Sequence, residues 1–479
     1  MLIRQNKDVF IRIYDNVGYI TNKKNYSDRV VDKVGSVFLS ILSREPQTLE
    51  TLVEKLAQQF IGVDKETLTK DALEFYAMFE EDGFLVSGNT VEELDQKDSR
   101  FSYNELDPKT IKKDFTPIIQ RAKKTTQDVL DEYFKNDPQL MSLQIELTSR
   151  CNERCVHCYI PHENKTKDIA EDLFYDVLKQ CKDMGVVSLT LSGGEPMLHP
   201  HFTEFLRKAK EFDFAINILS NLTLLNDEIL AEMKSMQISS VQVSLYSMVP
   251  EVHDSITKLK GSFYKTKNAI LKLIENDIPL QISCPNMKQN KTDFIEVLNW
   301  ANEHKVRAIT DYIMMACYDN TTENLDNRLS LGEVEDVIKM IINNDNDYKS
   351  EIAGADFENL EKRDDSEDIV CGVCVNTINM VSNGNVFPCA GWQSYILGNV
   401  KETSLKEIWL NAPKVKFLRG VRKKDFPECQ QCEDKLFCAM CMVRNANEDP
   451  NGDPFKINTH FCKVAALNKR IVQEFRNNQ

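Results

Sequence analysis

From Leu140 to Met315, short apolar segments alternate with amphipathic ones, and this alternation constrains the fold more than any other feature of the chain. Six segments have the length and residue types of strands: "LMSLQIEL", "VSLTLSG", "FAINILSN", "VQVSLYS", "PLQISCPN" and "RAITDYIMM". Between them lie helical stretches such as "EDLFYDVLKQCKDMG" and "KTKNAILKLIEN". Strand followed by helix, six times over, implies a parallel sheet with crossover helices, curved into a partial or full α/β barrel. In such barrels chemistry collects at the C-terminal ends of the strands.

Cys151, Cys155 and Cys158 follow the first of these strands, in the spacing C-x3-C-x2-C. A closed structural zinc site normally takes four protein ligands, and a three-ligand site leaves one position for chemistry. An iron–sulfur cluster can be held by three thiolates with one iron left exposed. A zinc knuckle would need a fourth Cys or His nearby, and His157 inside the motif is badly constrained by its neighbours.

The chain has fourteen cysteines. No signal-peptide pattern and no apolar run of membrane-spanning length is seen, so a soluble cytoplasmic protein with reduced thiols is expected. Clustered cysteines then read as metal ligands. Eight more fall in the last quarter: Cys371, Cys374, Cys389, Cys429, Cys432, Cys438, Cys441 and Cys462. That suggests one three-ligand site and two four-ligand sites, and a loop-rich C-terminal segment held together by metal. Cys181 and Cys284 sit on apolar stripes and read as core, whereas Cys317 ends the sixth strand at the expected mouth.

The net charge of -15 argues against nucleic-acid or membrane-surface binding. Residues 1–90 read as a winged-helix-like β-β-α-α-α unit. Two strands meet at Asp15-Asn16, then Val30, Val31, Val34, Val37, Phe38 and Ile41 recur at helical spacing. Thr48 is placed to cap a second helix, and a third runs from Lys65 to near Gly83, before the strand "FLV". Residues 91–137 are polar and read as a linker, 138–345 as the barrel and 365–479 as the cysteine-rich domain.

C-x3-C-x2-C after a barrel strand resembles the radical S-adenosylmethionine (SAM) superfamily, as does "LSGGEP" some forty residues on. The resemblance implies a [4Fe–4S] cluster on Cys151, Cys155 and Cys158, the catalytic cysteines. It also implies SAM contacts from Gly193, Gly194, Glu195, Ser220, Asn221 and Ser244. The C-terminal cysteine pattern resembles the SPASM domain, with two residues rather than three before Cys441. This implies two auxiliary [4Fe–4S] clusters, one on Cys371, Cys374, Cys389 and Cys441, the other on Cys429, Cys432, Cys438 and Cys462. Two zinc ribbons are the alternative. The fourth strand carries Tyr246-Ser247, then His253-Asp254, where many relatives have Asp-Gly.

An N-terminal unit ahead of this pair is similar to the recognition elements of ribosomal-peptide maturation systems, which take a leader peptide as an added strand. The resemblance as a whole is to thioether-forming maturases of the sactipeptide and ranthipeptide type. It implies SAM cleavage to a 5′-deoxyadenosyl radical and cysteine sulfur-to-carbon crosslinking of a precursor peptide. A low-potential reductant such as flavodoxin or ferredoxin is implied as the second partner. Carbon–carbon crosslinking and epimerisation are the other reactions of this class, and a leader-binding iron–sulfur scaffold without chemistry is the non-enzymatic alternative.

Overall fold

The computed structural model describes residues 1–479 except 16, 99, 108, 110, 112, 116–129, 131–132, 162–166 and 479. The N-terminal unit contains β1 (Leu2–Gln5), β2 (Val9–Tyr14), β3 (Val17–Asn22), β4 (Ser27–Val31), β5 (Gln47–Thr48) and β6 (Leu85–Gly88). They form two antiparallel sheets, ordered β5-β1-β6 and β2-β3-β4. The expected hairpin is β2-β3, although Asn16 of its turn lies outside the described residues. Val30 and Val31, expected in a helix, instead end β4. Asp32 marks the boundary: its carboxylate accepts from Gly35 N at 2.8 Å and starts the helix Lys33–Ser40. An N-cap needs extended backbone, so the β-branched pair before it is free to complete a third strand. Thr48 caps the helix Leu49–Ala57 as expected, through Thr51 N at 3.1 Å. The third helix is Lys65–Glu81, and Gly83 turns the chain at φ 77° into β6.

The stretch 91–137 is not a plain linker where it is described. Helix Val91–Lys97 buries Leu94, and Asp98 behind it forms a buried ion pair with Arg4 at 2.7 Å. Further on, β7 (Lys113–Phe115) pairs with the last barrel strand. One buried apolar residue among charges, and a strand of three residues, leave too little periodicity to read from sequence.

The central sheet adds β8 (Ser142–Thr148), β9 (Ser188–Gly193), β10 (Ala215–Ser220), β11 (Ser240–Ser244), β12 (Leu280–Ser283) and β13 (Arg307–Thr310). It continues with β14 (Thr377–Met380), β15 (Asn385–Phe387) and β16 (Gly398–Asn399) in the order β16-β15-β14-β8-β9-β10-β11-β12-β13-β7. Strands β8 to β13 run parallel, as the strand–helix alternation requires, and form the partial barrel. Outward positions such as Leu143, Ile145, Leu147, Leu189, Leu191, Val241 and Val243 are buried against helices including Glu171–Asp183 and Phe202–Glu211. Cys181 and Cys284 belong to this core. The alternate positions point into the barrel and are polar: Gln144, Glu146, Thr190, Ser192, Asn217, Gln242, Ser244, Gln281 and Ser283. A sheet covered on both faces would read as continuous apolar runs. This alternation, broken by Leu219 and Ile309, marks an inner face that is mostly polar and an outer face packed on helices.

The C-terminal segment begins as an extension of the barrel. β14 runs parallel to β8, pairing Thr377 with Ser142 through Met380 with Ile145, and β15 folds back antiparallel. Cys374 and Cys389 thus flank a hairpin laid against the first barrel strand.

At the opposite end of the barrel, the N-terminal unit docks on the loops that enter β9 and β10. Arg12 donates to Val186 O at 3.0 Å and pairs with Asp213 at 3.0 Å, and Tyr14 donates to Gly185 O at 2.9 Å. Phe10, Tyr14, Val17 and Tyr19 pack there with Met141, Val187 and Ala215. This leaves β4 as the outer edge of its sheet.

Candidate active site

The three cysteines lie on the loop leaving β8, held from two sides. Arg154 N and Val156 N donate to the carbonyls of Thr257 and Ile256, at the end of helix Pro250–Thr257, at 2.9 and 3.0 Å. On the other side, Gly194 N and Glu195 N donate to Thr148 O and Arg150 O, both at 2.8 Å. The glycines of "GGEP" are needed here for space. A Cβ on Gly193, at φ 142°, would lie 2.1 Å from Thr148 O, and one on Gly194 would lie 2.3 Å from Arg150 O. What their backbone approaches is the chain entering the cysteine loop.

Glu195 is fully buried. Its Oε1 accepts from Met197 N at 3.0 Å and Ser220 Oγ at 2.8 Å, and its Oε2 accepts from Asn221 N at 2.8 Å. Burial pushes its pKa up to about 7 against the pull of these three donors. The carboxylate therefore ties the Gly-Gly turn after β9 to the end of β10. Asn221 continues the tie, donating to Asn152 Oδ1 at 3.0 Å, while Asn152 donates to Thr223 Oγ1 at 2.7 Å. Gly193, Gly194, Glu195, Ser220 and Asn221 are thus brought together with the cysteine loop. Ser244 stands at the end of β11, with its hydroxyl bonded to the phenol of Tyr246. That phenol also lies 3.4 Å from His157 Nε2. Cys317 is buried at the same mouth, its thiol 3.6 Å from Cys158 O.

The donor set suits a cationic cluster. Burial raises the Cys155 thiol well above its ordinary pKa, and the Glu153 carboxylate, Cys158 and Cys151 raise it further. A buried, crowded Cys155 thiol that resists ionisation alone is what a bound metal would reverse, because coordination deprotonates its thiol ligands. The eight C-terminal cysteines separate into two groups by their mutual influence. Cys371 and Cys389 each feel Cys441, and both Cys389 and Cys374 feel Cys371. Cys429 and Cys438 each feel Cys462 and Cys432, and Cys462 feels Cys432. Burial is the largest cause in every case, pushing Cys374 up to about 12 and Cys389 and Cys438 up to about 11. This grouping is compatible with the two four-thiol sets expected from the sequence, although Cys441 also lines a cavity with Cys429, Cys438 and Cys462. The first is the more enclosed, with Cys374 buried, while Cys462 of the second is exposed.

Family profiles match three parts of the chain: the Radical SAM superfamily over residues 145–301, the SPASM iron–sulfur cluster-binding domain over 371–433, and coenzyme PQQ synthesis protein D (PqqD) over 28–85. The chain carries radical SAM, SPASM and PqqD domains. Among curated relatives, the AdoMet-dependent heme synthase of Methanosarcina barkeri is 26% identical, covering 64% of this chain and 92% of its own. The subtilosin biosynthesis protein AlbA of Bacillus subtilis is 24% identical, with 69% and 74% covered. Among solved structures, Streptococcus suis SuiB superposes with a TM-score of 0.62 at 17% identity, over 95% of this chain and 98% of that one. At that identity the likeness concerns the fold, which is shared from the PqqD domain through the SPASM domain.

Sequence reasoning had no place for Asn152, Thr223, Glu146 or Gln393. The signal for Glu146 was the polar alternation inside "SLQIEL". Gln393 reaches the site only because β14 and β15 bring its loop beside β8. Among the described residues, no helix is long and apolar enough to cross a membrane.

Proposed function

We propose that this radical SAM–SPASM protein modifies a ribosomally made precursor peptide, joining a cysteine sulfur to a carbon of another residue. The observation that carries the peptide reading is an N-terminal unit, matching PqqD over 28–85 and docked through Arg12 and Tyr14, on a radical SAM barrel whose inward side chains are mostly polar. Relatives named for peptide chemistry support it: AlbA, and the PqqA peptide cyclase of Gluconobacter oxydans, 24% identical over 71% of this chain and 94% of its own. So does the SuiB fold, solved also with its precursor peptide SuiA.

Cys151, Cys155 and Cys158 would hold the SAM-binding cluster, and the two four-thiol sets would hold auxiliary clusters. Bound there, SAM supplies a carbon radical able to take an unactivated hydrogen atom. The rest falls to the chain. The tie from Glu195 through Ser220 and Asn221 fixes the turn and strand end on which SAM would rest. The lumen side chains would offer polar contacts to SAM and to the entering peptide. The open edge of β4 is the place for a leader strand, beside the exposed apolar side chains of Val34, Leu73 and Met78. A low-potential flavodoxin or ferredoxin would deliver electrons.

Two complete thiol sets favour auxiliary clusters that carry electrons away rather than bind a substrate thiol, which suits a reaction that ends one electron richer. Incubation with a cysteine-containing precursor should give a product lighter by about two mass units per bridge, unable to be alkylated at the joined cysteine after reduction. Serine in place of the substrate cysteines should stop the reaction. Continued crosslinking would favour the carbon–carbon reading, and an inverted residue without mass change would favour epimerisation.

A further inference from the structure

Glu146 lies outside the cluster and SAM sites. It is the fifth residue of β8, facing the lumen, and the only acid in the inward rows of β8 to β14 among the described residues. It is 4% exposed. Its Oε1 accepts from Gln393 Nε2 at 2.6 Å, and no described residue bonds Oε2. Nor is Oε2 a sealed orphan: it does not belong with the buried polar atoms that lack a partner. Among the described residues no cation compensates it, and burial holds its pKa up to about 7 despite the Gln393 bond. The titratable group facing it is the Tyr159 phenol, itself raised by burial and by Glu146, with the Cys158 and Cys389 thiols beyond. Glu146 and Tyr159 thus lie between the loop that carries Cys158 and the hairpin end that carries Cys389.

A buried carboxyl with one hydrogen-bond donor and no compensating charge among the described residues is costly to ionise, and such groups cluster at functional sites. Resting on the peptide-modifying reading above, we infer that Glu146 is the general base that takes a proton from the peptide as the new bond forms, with Gln393 as its positioning residue. The balance is complete. One substrate carbon loses a hydrogen atom to the SAM-derived radical. The second substrate atom, the thiol sulfur in a thioether reaction, loses its proton to the Glu146 carboxylate. The bond forms between those two atoms, and the remaining electron passes to an oxidised iron–sulfur cluster of the SPASM domain. A carboxyl with a pKa near the working pH is suited to accepting that proton and releasing it to water at product exit.

The test uses cluster-loaded full-length enzyme with deuterium-labelled precursor peptide. Glu146→Gln preserves shape and the lumen's polarity. It should still move deuterium from peptide to 5′-deoxyadenosine, which shows that the site is folded, while crosslinked product falls by about 100-fold or more. Infrared pH-difference spectra of the holoprotein should show a protonated-carboxyl signal titrating near neutrality that is smaller by one carboxyl in Glu146→Gln than in the wild type, the Glu195 contribution remaining. Gln393→Leu removes a donor that favours the carboxylate, so the acidic limb of its crosslinking profile should move to higher pH. Crosslinking by Glu146→Gln within a few-fold of wild type, or an unmoved profile in Gln393→Leu, overturns the assignment. Wild-type enzyme that transfers no deuterium from peptide would instead overturn the peptide-modifying reading beneath it.

Discussion

Replacing Glu195 by Gln tests how the Gly-Gly turn is held to the end of β10. Each carboxylate oxygen serves as an acceptor: one for Met197 N and Ser220 Oγ, the other for Asn221 N. A protonated carboxyl keeps a lone pair on both oxygens, but an amide NH2 has none to offer. In one orientation Gln strands the Asn221 amide, and in the other it strands Met197 N and Ser220 Oγ. One buried donor without an acceptor costs about 1–3 kcal/mol, so the favoured orientation should be the first. The pH dependence carries a second, opposite effect. Glu195 ionises at about 7 in the folded chain against an ordinary value of 4.5. Between those values the unfolded or opened state has lost its proton while the folded state keeps it. Stability from this group is full below 4.5 and falls as pH rises to about 7, by about 3 kcal/mol in total. Gln does not titrate. Peptide-resolved hydrogen exchange of anaerobic holoprotein should therefore show amides in the 193–225 stretch exchanging about 5- to 150-fold faster in Glu195→Gln than in wild type below pH 5. Because the wild type loses about 3 kcal/mol over that range and Gln does not, the ratio should fall to one or below by pH 8. A ratio near one below pH 5, or one that does not change with pH, would refute the tie.

Gly194→Ala should lower iron loading of the three-cysteine site, read by iron content and electron paramagnetic resonance, because its Cβ meets Arg150 O at 2.3 Å. Replacing Cys151, Cys155 and Cys158 together should remove about four of roughly twelve irons and abolish SAM cleavage, whereas zinc in their place would end the cluster assignment. Arg12→Ala leaves Asp213 with less compensation and frees a buried face of the N-terminal unit, so limited proteolysis should cut faster near residues 91–137 with SAM cleavage kept. The PqqD domain sits at the far end of strands of about six residues, roughly 20 Å long. A precursor whose leader and modified segment are joined by fewer than about six residues should still bind, by fluorescence anisotropy, but should not be modified.

The barrel was legible because six strands and their helices repeat one pattern, and the radical SAM and SPASM resemblance because cysteine spacing survives without structural context. Local competition hid other features. Val30 and Val31 fit a helical stripe, yet Asp32 caps the helix behind them and gives them to β4. β7 lies in a charged stretch and gains its place only by pairing with β13. The site was legible where it uses motif residues. It was opaque where residues far apart in sequence meet, as Asn152 meets Asn221 and Thr223, and as Glu146 meets Gln393 across 247 positions. The glycines of "GGEP" serve a close approach, and the near neighbour is the chain's own backbone at Thr148 and Arg150. The Tyr246–His157 contact, at the position where this chain departs from the common pattern, joins the fourth barrel strand to the cysteine loop.

The central claim is that this barrel directs SAM-derived radical chemistry at a precursor peptide. The most direct measurement is mass spectrometry of 5′-deoxyadenosine formed by cluster-loaded enzyme from a precursor deuterated at its candidate carbon positions. The account predicts deuterium in the nucleoside together with a peptide lighter by about two mass units per bridge, before counting the lost label. Abundant 5′-deoxyadenosine that never carries deuterium, whichever peptide position is labelled, would contradict it.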